Sequence, residues 1–215
     1  MTEIEQGSPE WHQLRLGKLT ASRIADATTR LKSGGWGASR ASYMGELIAE
    51  RLTGVPFEAY VSAAMKQGTE LEPEARAAYE YYESVVVEKI AFIDHPAIAM
   101  SGASPDGFVG RDGLVELKCP LVHTHIATLL GDSIDGNYIK QMQWQMACSG
   151  RKWCDWVSYS PKLPERMRLF VKRVPRDDKM IAGLEEDAKG FLWELDKAVM
   201  ALRNAYGETD AATAA

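Results

Sequence analysis

Asp106, Glu116 and Lys118 are the residues of this chain whose types and spacing are best suited to chemistry on a charged substrate. Two carboxylates brought together can hold a divalent cation, and an ammonium beside them can offset negative charge that develops in a reaction. They lie in Ser104 to Pro120, where the apolar runs Phe108–Val109 and Leu114–Leu117 flank an Asp-Gly turn, a local hairpin signal. Side chains alternate faces along a strand, so Glu116 and Lys118 share one side and Leu117 takes the other.

Register decides whether Asp106 joins them. A two-residue loop at Arg111-Asp112 pairs residue 106 with 117 and places Asp106 on the Leu117 face. A three-residue loop at Arg111-Asp112-Gly113, with Gly113 left-handed, pairs 106 with 118 and 108 with 116. The second register gathers all three charged groups and is the one expected. On an arbitrary hairpin the same charges read as a solvated cross-strand pair of little value. Here the apolar flanks and the nearby Leu117 carbonyl argue for converging oxygen ligands of the kind Mg²⁺ prefers. Beside two carboxylates a lysine keeps its proton, so Lys118 is expected to orient water and offset charge. It would become a base only once metal is bound.

The elements that must position these groups can be read in order. Thr20 is the expected N-cap of a short helix from Ala21, where Ser22, Arg15 and Arg23 would surround free N–H groups and form an anion site. An ordinary capped helix with solvated arginines is the competing reading. Lys32–Ala38 is a glycine-rich loop, followed by a helix over Ser39–Thr53 closed by Gly54. Pro56–Tyr60 reads as a linker, and Ser62–Pro73 leads into a helix through Tyr82 with Glu70, Glu72, Pro73 and Glu74 near its start. Val85–Val87 and Ile90–Ile93 read as one strand, and Ile98–Met100 as another. Val122–Leu130 is helical, with His123 and His125 as surface or packing residues. A helix over Asn137–Ser149 carries Tyr138, Gln141 and Gln145 on one stripe, which is either its wet face or a row of donors aimed at a site. Strands follow at Trp153–Tyr159 and Met167–Val174, then a long helix over Asp177–Tyr206. Arg166, Arg168, Lys172, Arg173 and Arg176 form the densest basic stretch, suited to phosphate contacts or to a solvated strand edge.

This order predicts an α/β fold: a single domain over residues 1–206, with a central mixed β-sheet flanked by helices, and a disordered tail at 207–215. A chain of 215 residues is ample to bury one core, and no apolar run is long enough to span a membrane. Three cysteines in no zinc-like spacing read as reduced thiols, and no secretory signal opens the chain, so the expected location is cytoplasmic. A net charge of −5 weakens the case for a sequence-reading DNA regulator, because phosphate contacts dominate such affinity. It weighs less against an enzyme with carboxylates at its centre and basic groups only along a groove.

Five segments in order resemble one family: Trp11-His12-x-Leu14-Arg15-x-Gly17-x-x-Thr20-Ala21-Ser22, Gly68-x-x-x-Glu72, Ser104-Pro105-Asp106-Gly107, Glu116-Leu117-Lys118-Cys119-Pro120 and Tyr138-x-x-Gln141-x-Gln143. The chain is similar to the lambda-exonuclease (YqaJ-type viral recombinase) family of phage alkaline exonucleases, in the PD-(D/E)XK nuclease superfamily. The resemblance implies a restriction-endonuclease-like core and a Mg²⁺-dependent exonuclease with two ions per site, Mn²⁺ being able to substitute. Its substrate would be linear double-stranded DNA, degraded from the 5′ end of one strand to leave a 3′ overhang. A ring-shaped homotrimer, a phage single-strand-annealing partner and a phage-encoded origin in a bacterial cytoplasm are implied as well. Carried over, Asp106, Glu116 and the Leu117 carbonyl bind metal with support from Glu72, Lys118 is the catalytic lysine, and Gln141 lies near the centre. Arg15 and Ser22 would hold the 5′-phosphate, with Met65 an apolar wedge between terminal bases. The alternatives are a restriction-type endonuclease of the same superfamily and a non-catalytic DNA-end-binding module.

Overall fold

The computed structural model describes residues 4–57, 62–131 and 133–207. Helix α1 (Pro9–Arg15) opens the chain; the Ser8 side chain accepts from the Trp11 N–H, and Pro9 occupies a position where no N–H is needed. Ser8-Pro9-Glu10 signals this helix in the sequence, although it was not among the expected elements. Strand β1 (Leu19–Thr20) runs into a 3₁₀ turn at Ala21–Arg23 and the short helix α2 (Ile24–Thr28). Thr20 is extended as an N-cap should be, yet its side chain makes no capping bond, so the expected capped helix at Ala21 is not what forms. Its hydroxyl lies 3.4 Å from the Ser22 hydroxyl instead.

Helix α3 (Ala38–Thr53) buries Tyr43 and Leu47 and ends at a left-handed Gly54, as its spacing predicts. Helix α4 (Ala63–Glu83) starts at a Ser62 cap on Met65 N–H, so Pro73 and the acidic residues around it sit within the helix and not at its start. The expected linker at 56–60 lies in part, and the tail beyond Gly207 wholly, outside the described residues. Strands β2 (Val87–Glu88) and β3 (Ile93–Asp94) are separate, where one strand was expected. The long-range partner of each decides this: β2 pairs with the central hairpin, while β3 pairs with β4 (Ser101–Ala103) in another sheet. Ile98–Met100, read as a strand, is a turn before β4. His95 Nδ1 accepts from the Ala97 and Ile98 N–H groups there, and Met100 takes a φ of +58°.

The hairpin comprises β5 (Gly107–Val109) and β6 (Gly113–Lys118), followed by α5 (Val122–Gly131), α6 (Gly136–Ser149), β7 (Trp153–Tyr159), β8 (Leu169–Pro175) and α7 (Asp178–Tyr206). The larger sheet has five strands in the order β2-β5-β6-β7-β8, and only β6 and β7 run parallel, so it is a mixed sheet as predicted. The chain crosses from β6 to β7 through α5 and α6, the connection that parallel neighbours require. Leu114, Met142, Met146, Cys154 and Trp156 form the core between the sheet and α6. Tyr79, Val115, Leu117 and Val157 form the core on the opposite face. A third core joins α2, α3, α6 and α7 through Ile24, Tyr43, Trp144 and Phe191. The second smaller sheet, β1-β4-β3, caps this helical layer.

The hairpin register differs from the expected one by two residues. Phe108 pairs with Leu114 and Gly107 with Val115, which leaves Gly110, Arg111 and Asp112 as the loop. Gly110, not Gly113, is left-handed, with φ +54°. Gly113 is already in the strand, where the Trp153 ring crosses it: a Cβ there would fall 2.1 Å from the ring. The offset keeps its parity, so Asp106 still shares a face with Glu116. Replacing Gly113 with Ala should therefore lower stability by about 1–3 kcal/mol through overpacking against Trp153, read as a drop in urea or thermal midpoint.

Candidate active site

Glu116 is buried in the central strand, only 2 % exposed, and its side chain points toward α6. An ionised carboxylate in such a place must be compensated by hydrogen bonds and charge. Three donors do this. Gln141 Nε2 and Lys118 Nζ reach Oε1 at 2.6 and 2.5 Å, and Gln145 Nε2 reaches Oε2 at 2.6 Å. Gln141 and Gln145 are one helical turn apart on α6, so a single face of the helix presents both amides to the strand. The polar stripe on this helix is thus a row of donors aimed inward. Gln145 was on that stripe but was not assigned to the site; its i, i+4 relation to Gln141 was the available signal.

Asp106 lies opposite Glu116 when the observed register is continued. Its Oδ2 accepts the Leu117 N–H at 2.6 Å, which ties the two strands together at the site. Burial, and next the charge of Glu116, push the Asp106 carboxyl well above the usual carboxylate range. Burial alone would lower the Lys118 ammonium, but Glu116 and Asp106 outweigh it and hold its pKa above the ordinary lysine value. Lys118 also sits 4.9 Å from the centre of the Tyr138 ring.

Glu72 lines the same cleft as Asp106, Leu117 and Lys118, a space of about 440 Å³ that also includes Gly68, Cys119, Pro120 and Tyr138. Arg76, which the sequence reading did not single out, binds Glu72 Oε1 at 2.8 Å and the Asp106 carbonyl at 2.5 Å. It fastens α4 to the strand carrying Asp106, and the Glu72-x-x-x-Arg76 spacing was its sequence signal.

Arg15 and Ser22 are brought together, with Arg15 Nη2 3.5 Å from the Ser22 hydroxyl. The guanidinium stacks 3.9 Å above Trp11. Burial draws its pKa down to about 10, with Tyr43 and Glu50 only partly opposing. Among the described residues it forms no ion pair, so its charge is available to an anion. Met65, 57 % exposed, borders both this cleft of about 380 Å³ and the one holding Asp106 and Lys118. Met65 thus joins the cleft lined by Arg15 and Ser22 to the one lined by Glu72, Asp106, Leu117 and Lys118, while Glu116 and Gln141 are buried and line neither.

Other expectations resolve differently. In the basic stretch, Arg173 forks onto the buried Asp155 at 2.8 Å through both nitrogens and stacks on Trp153. Arg176 binds Asp178 and the Met146 carbonyl, and Arg168 binds the Leu163 carbonyl. These three arginines have structural partners within the chain. His125 is fully buried between the Ser158 hydroxyl and the Met167 carbonyl, a packing histidine.

The donor set fits a hard cation. Asp106 and Glu116 would offer carboxylate oxygens and Leu117 a carbonyl, while among the described residues no group of three His, Cys, Asp or Glu is placed to hold a metal. Mg²⁺ is characteristically held by one or two carboxylates plus water and substrate phosphate, not by a complete protein cage. Among the described residues no helix is long and apolar enough to cross a membrane.

A family model described as a YqaJ-like viral recombinase domain matches residues 10–152. Among solved structures, the chain is similar to an alkaline exonuclease, LHK-Exo, from Laribacter hongkongensis, with 49% identity over 92% of this chain and 97% of that one and a TM-score of 0.86. The structure of LHK-Exo in complex with dAMP matches to the same extent. A phage-related exonuclease from Haemophilus somnus 129PT matches at 17% identity over 86% of this chain and 96% of that one, with a TM-score of 0.70, a likeness of fold alone. No curated protein matches.

A raised Asp106 pKa means that the folded state binds more protons than the unfolded chain between the ordinary carboxylate range and the elevated value. Metal-free stability therefore falls as pH rises through that interval, by up to about 1.4 kcal/mol per pH unit. Asp106→Asn should remove this dependence, so its stability advantage over the parent widens with pH, as measured by metal-free denaturation at a series of pH values.

Proposed function

Because the chain belongs to the YqaJ-like viral recombinase family, we propose that it is a Mg²⁺-dependent exonuclease on double-stranded DNA, digesting one strand from its 5′ end. The observation that carries this reading is the gathering of Asp106, Glu116 and Lys118 on one face of the sheet, with Asp106 and Lys118 lining an open cleft and Glu116 buried behind them. Similarity to an alkaline exonuclease at 49% identity supports it.

Asp106, Glu116 and the Leu117 carbonyl would hold the metal, with Glu72 beside them. Bound there, Mg²⁺ supplies neutralisation of the scissile phosphate and a lowered pKa for the attacking water. In the hydrolysis a water oxygen bonds to phosphorus as the bond from phosphorus to the 3′ oxygen breaks; the water gives up one proton and the 3′ oxygen gains one. Lys118, held protonated by its acidic neighbours, donates hydrogen bonds and offsets charge accumulating on the phosphate. Arg15 and Ser22 hold the terminal 5′-phosphate. Met65 borders both clefts and in this reading wedges between the terminal bases. Each cut leaves a new 5′-phosphate on the shortened strand, so the Arg15 cleft draws it forward by one nucleotide. Mn²⁺ in place of Mg²⁺, a second ion, a ring-shaped homotrimer, a phage single-strand-annealing partner and action in the bacterial cytoplasm belong to the same reading, supported by the family likeness.

The test is digestion of end-labelled linear duplex beside a covalently closed circle in Mg²⁺. Release of mononucleotides from the linear form with the circle intact is expected; a cut circle, or linear DNA left whole, overturns the reading. Arg15→Ala should lose most activity, about 10- to 100-fold, on 5′-phosphorylated ends and less on 5′-hydroxyl ends. Equal losses would remove the phosphate cleft from the mechanism.

A further inference from the structure

We propose that Gln145 is a positioning residue: it fixes the orientation of the Glu116 carboxylate and so sets the affinity of the site for its cation. This rests on the reading that Glu116 binds metal. The two oxygens of Glu116 are unequally supported. Oε1 accepts from both Gln141 and Lys118, whereas Gln145 is the described protein donor on Oε2. The terminal torsion of a glutamate is broad, so a carboxylate tethered by one oxygen can turn about its own axis. Donors on both oxygens, from amides one helical turn apart, remove that freedom and leave the remaining lone pairs in a fixed direction.

The opposite end of Gln145 determines which way its amide points. Its Oε1 faces the buried Cys154 thiol, with Sγ at 4.0 Å, while Nε2 faces Glu116 at 2.6 Å. Turning the amide over would set a carbonyl oxygen against a carboxylate and an N–H₂ against a sulfur. Gln145 is also fully buried and does not line the cleft. It cannot touch DNA, so its influence passes through Glu116. This sets it apart from Gln141 in consequence: Gln141 shares its oxygen with Lys118, and its loss still leaves Oε1 a donor.

Gln145→Met keeps length and volume but removes the donor, and Gln145→Leu removes it with a shorter apolar side chain. Mn²⁺ binding, measured by calorimetry without DNA, should weaken by about tenfold in each, and the Mg²⁺ concentration for half-maximal hydrolysis should rise in step. Metal-free affinity for 5′-phosphorylated duplex ends should stay within about twofold of the parent's. Unchanged metal affinity overturns the proposal, and so does an equal loss of metal and DNA-end binding, which would mark Gln145 as general packing. In the unmodified protein the Gln145 side-chain amide should be protected from hydrogen exchange and shift on Mg²⁺ addition; an unprotected amide overturns the proposal even if neither variant folds. If the parent protein itself binds no Mn²⁺ and digests no DNA, it is the exonuclease reading that fails.

Discussion

A carboxylate in the middle of a buried β-strand is the constraint around which the rest of this structure is arranged. Transferring an ionised group away from water is prohibitive unless hydrogen bonds and opposite charge replace its hydration. Glu116 receives three charge-assisted bonds, of the kind worth about 1.5–3 kcal/mol each, from Gln141, Gln145 and Lys118. Two of the three come from α6, so this helix must lie against the sheet with its amide face toward β6. Met142 and Met146, packed against Leu114, Cys154 and Trp156, hold it there. The polar contact and the apolar core specify the same docking.

The second carboxylate is treated differently. Asp106 has one backbone donor, from Leu117, and otherwise faces Glu116 across the strands. Its charge is opposed by burial and by its neighbour, which is why its pKa rises. The site thus joins one well-compensated acid to one poorly compensated acid. Such local instability is common where a protein is organised for binding and not for its own stability. A divalent cation relieves it directly. In the cleft around Arg15, a guanidinium stacked on Trp11 forms no ion pair among the described residues, and Glu50 acts on it only at longer range.

Arginines elsewhere show what the chain does when charge is structural. Arg173 closes on Asp155, which also accepts from Tyr79, linking β7, β8 and α4 beneath the sheet. Arg76 links Glu72 to the Asp106 carbonyl. The first brace lies away from the cleft and the second forms part of its wall. Each holds α4 against the strands, and α4 carries Met65, Gly68 and Glu72 to the cleft.

The sequence by itself determined the kinds of element and the residues able to do chemistry. Alternation and helical spacing are local, so Trp153–Tyr159, the α6 helix and the long final helix could be read nearly to the residue. The five ordered segments carried the family, and strand parity alone linked Glu116 to Lys118 on one face. Tertiary structure decided what depends on distant partners. Gly113 lies in the strand under the Trp153 ring and not in the hairpin loop, and pairing with β5 or β4 split one apparent strand between two sheets. The acidic partner that takes up Arg173, and the amides that receive Glu116, lie 18 to 29 residues away in sequence. Spacing along the chain gives the face on which a side chain lies; only packing across the core determines what it meets there.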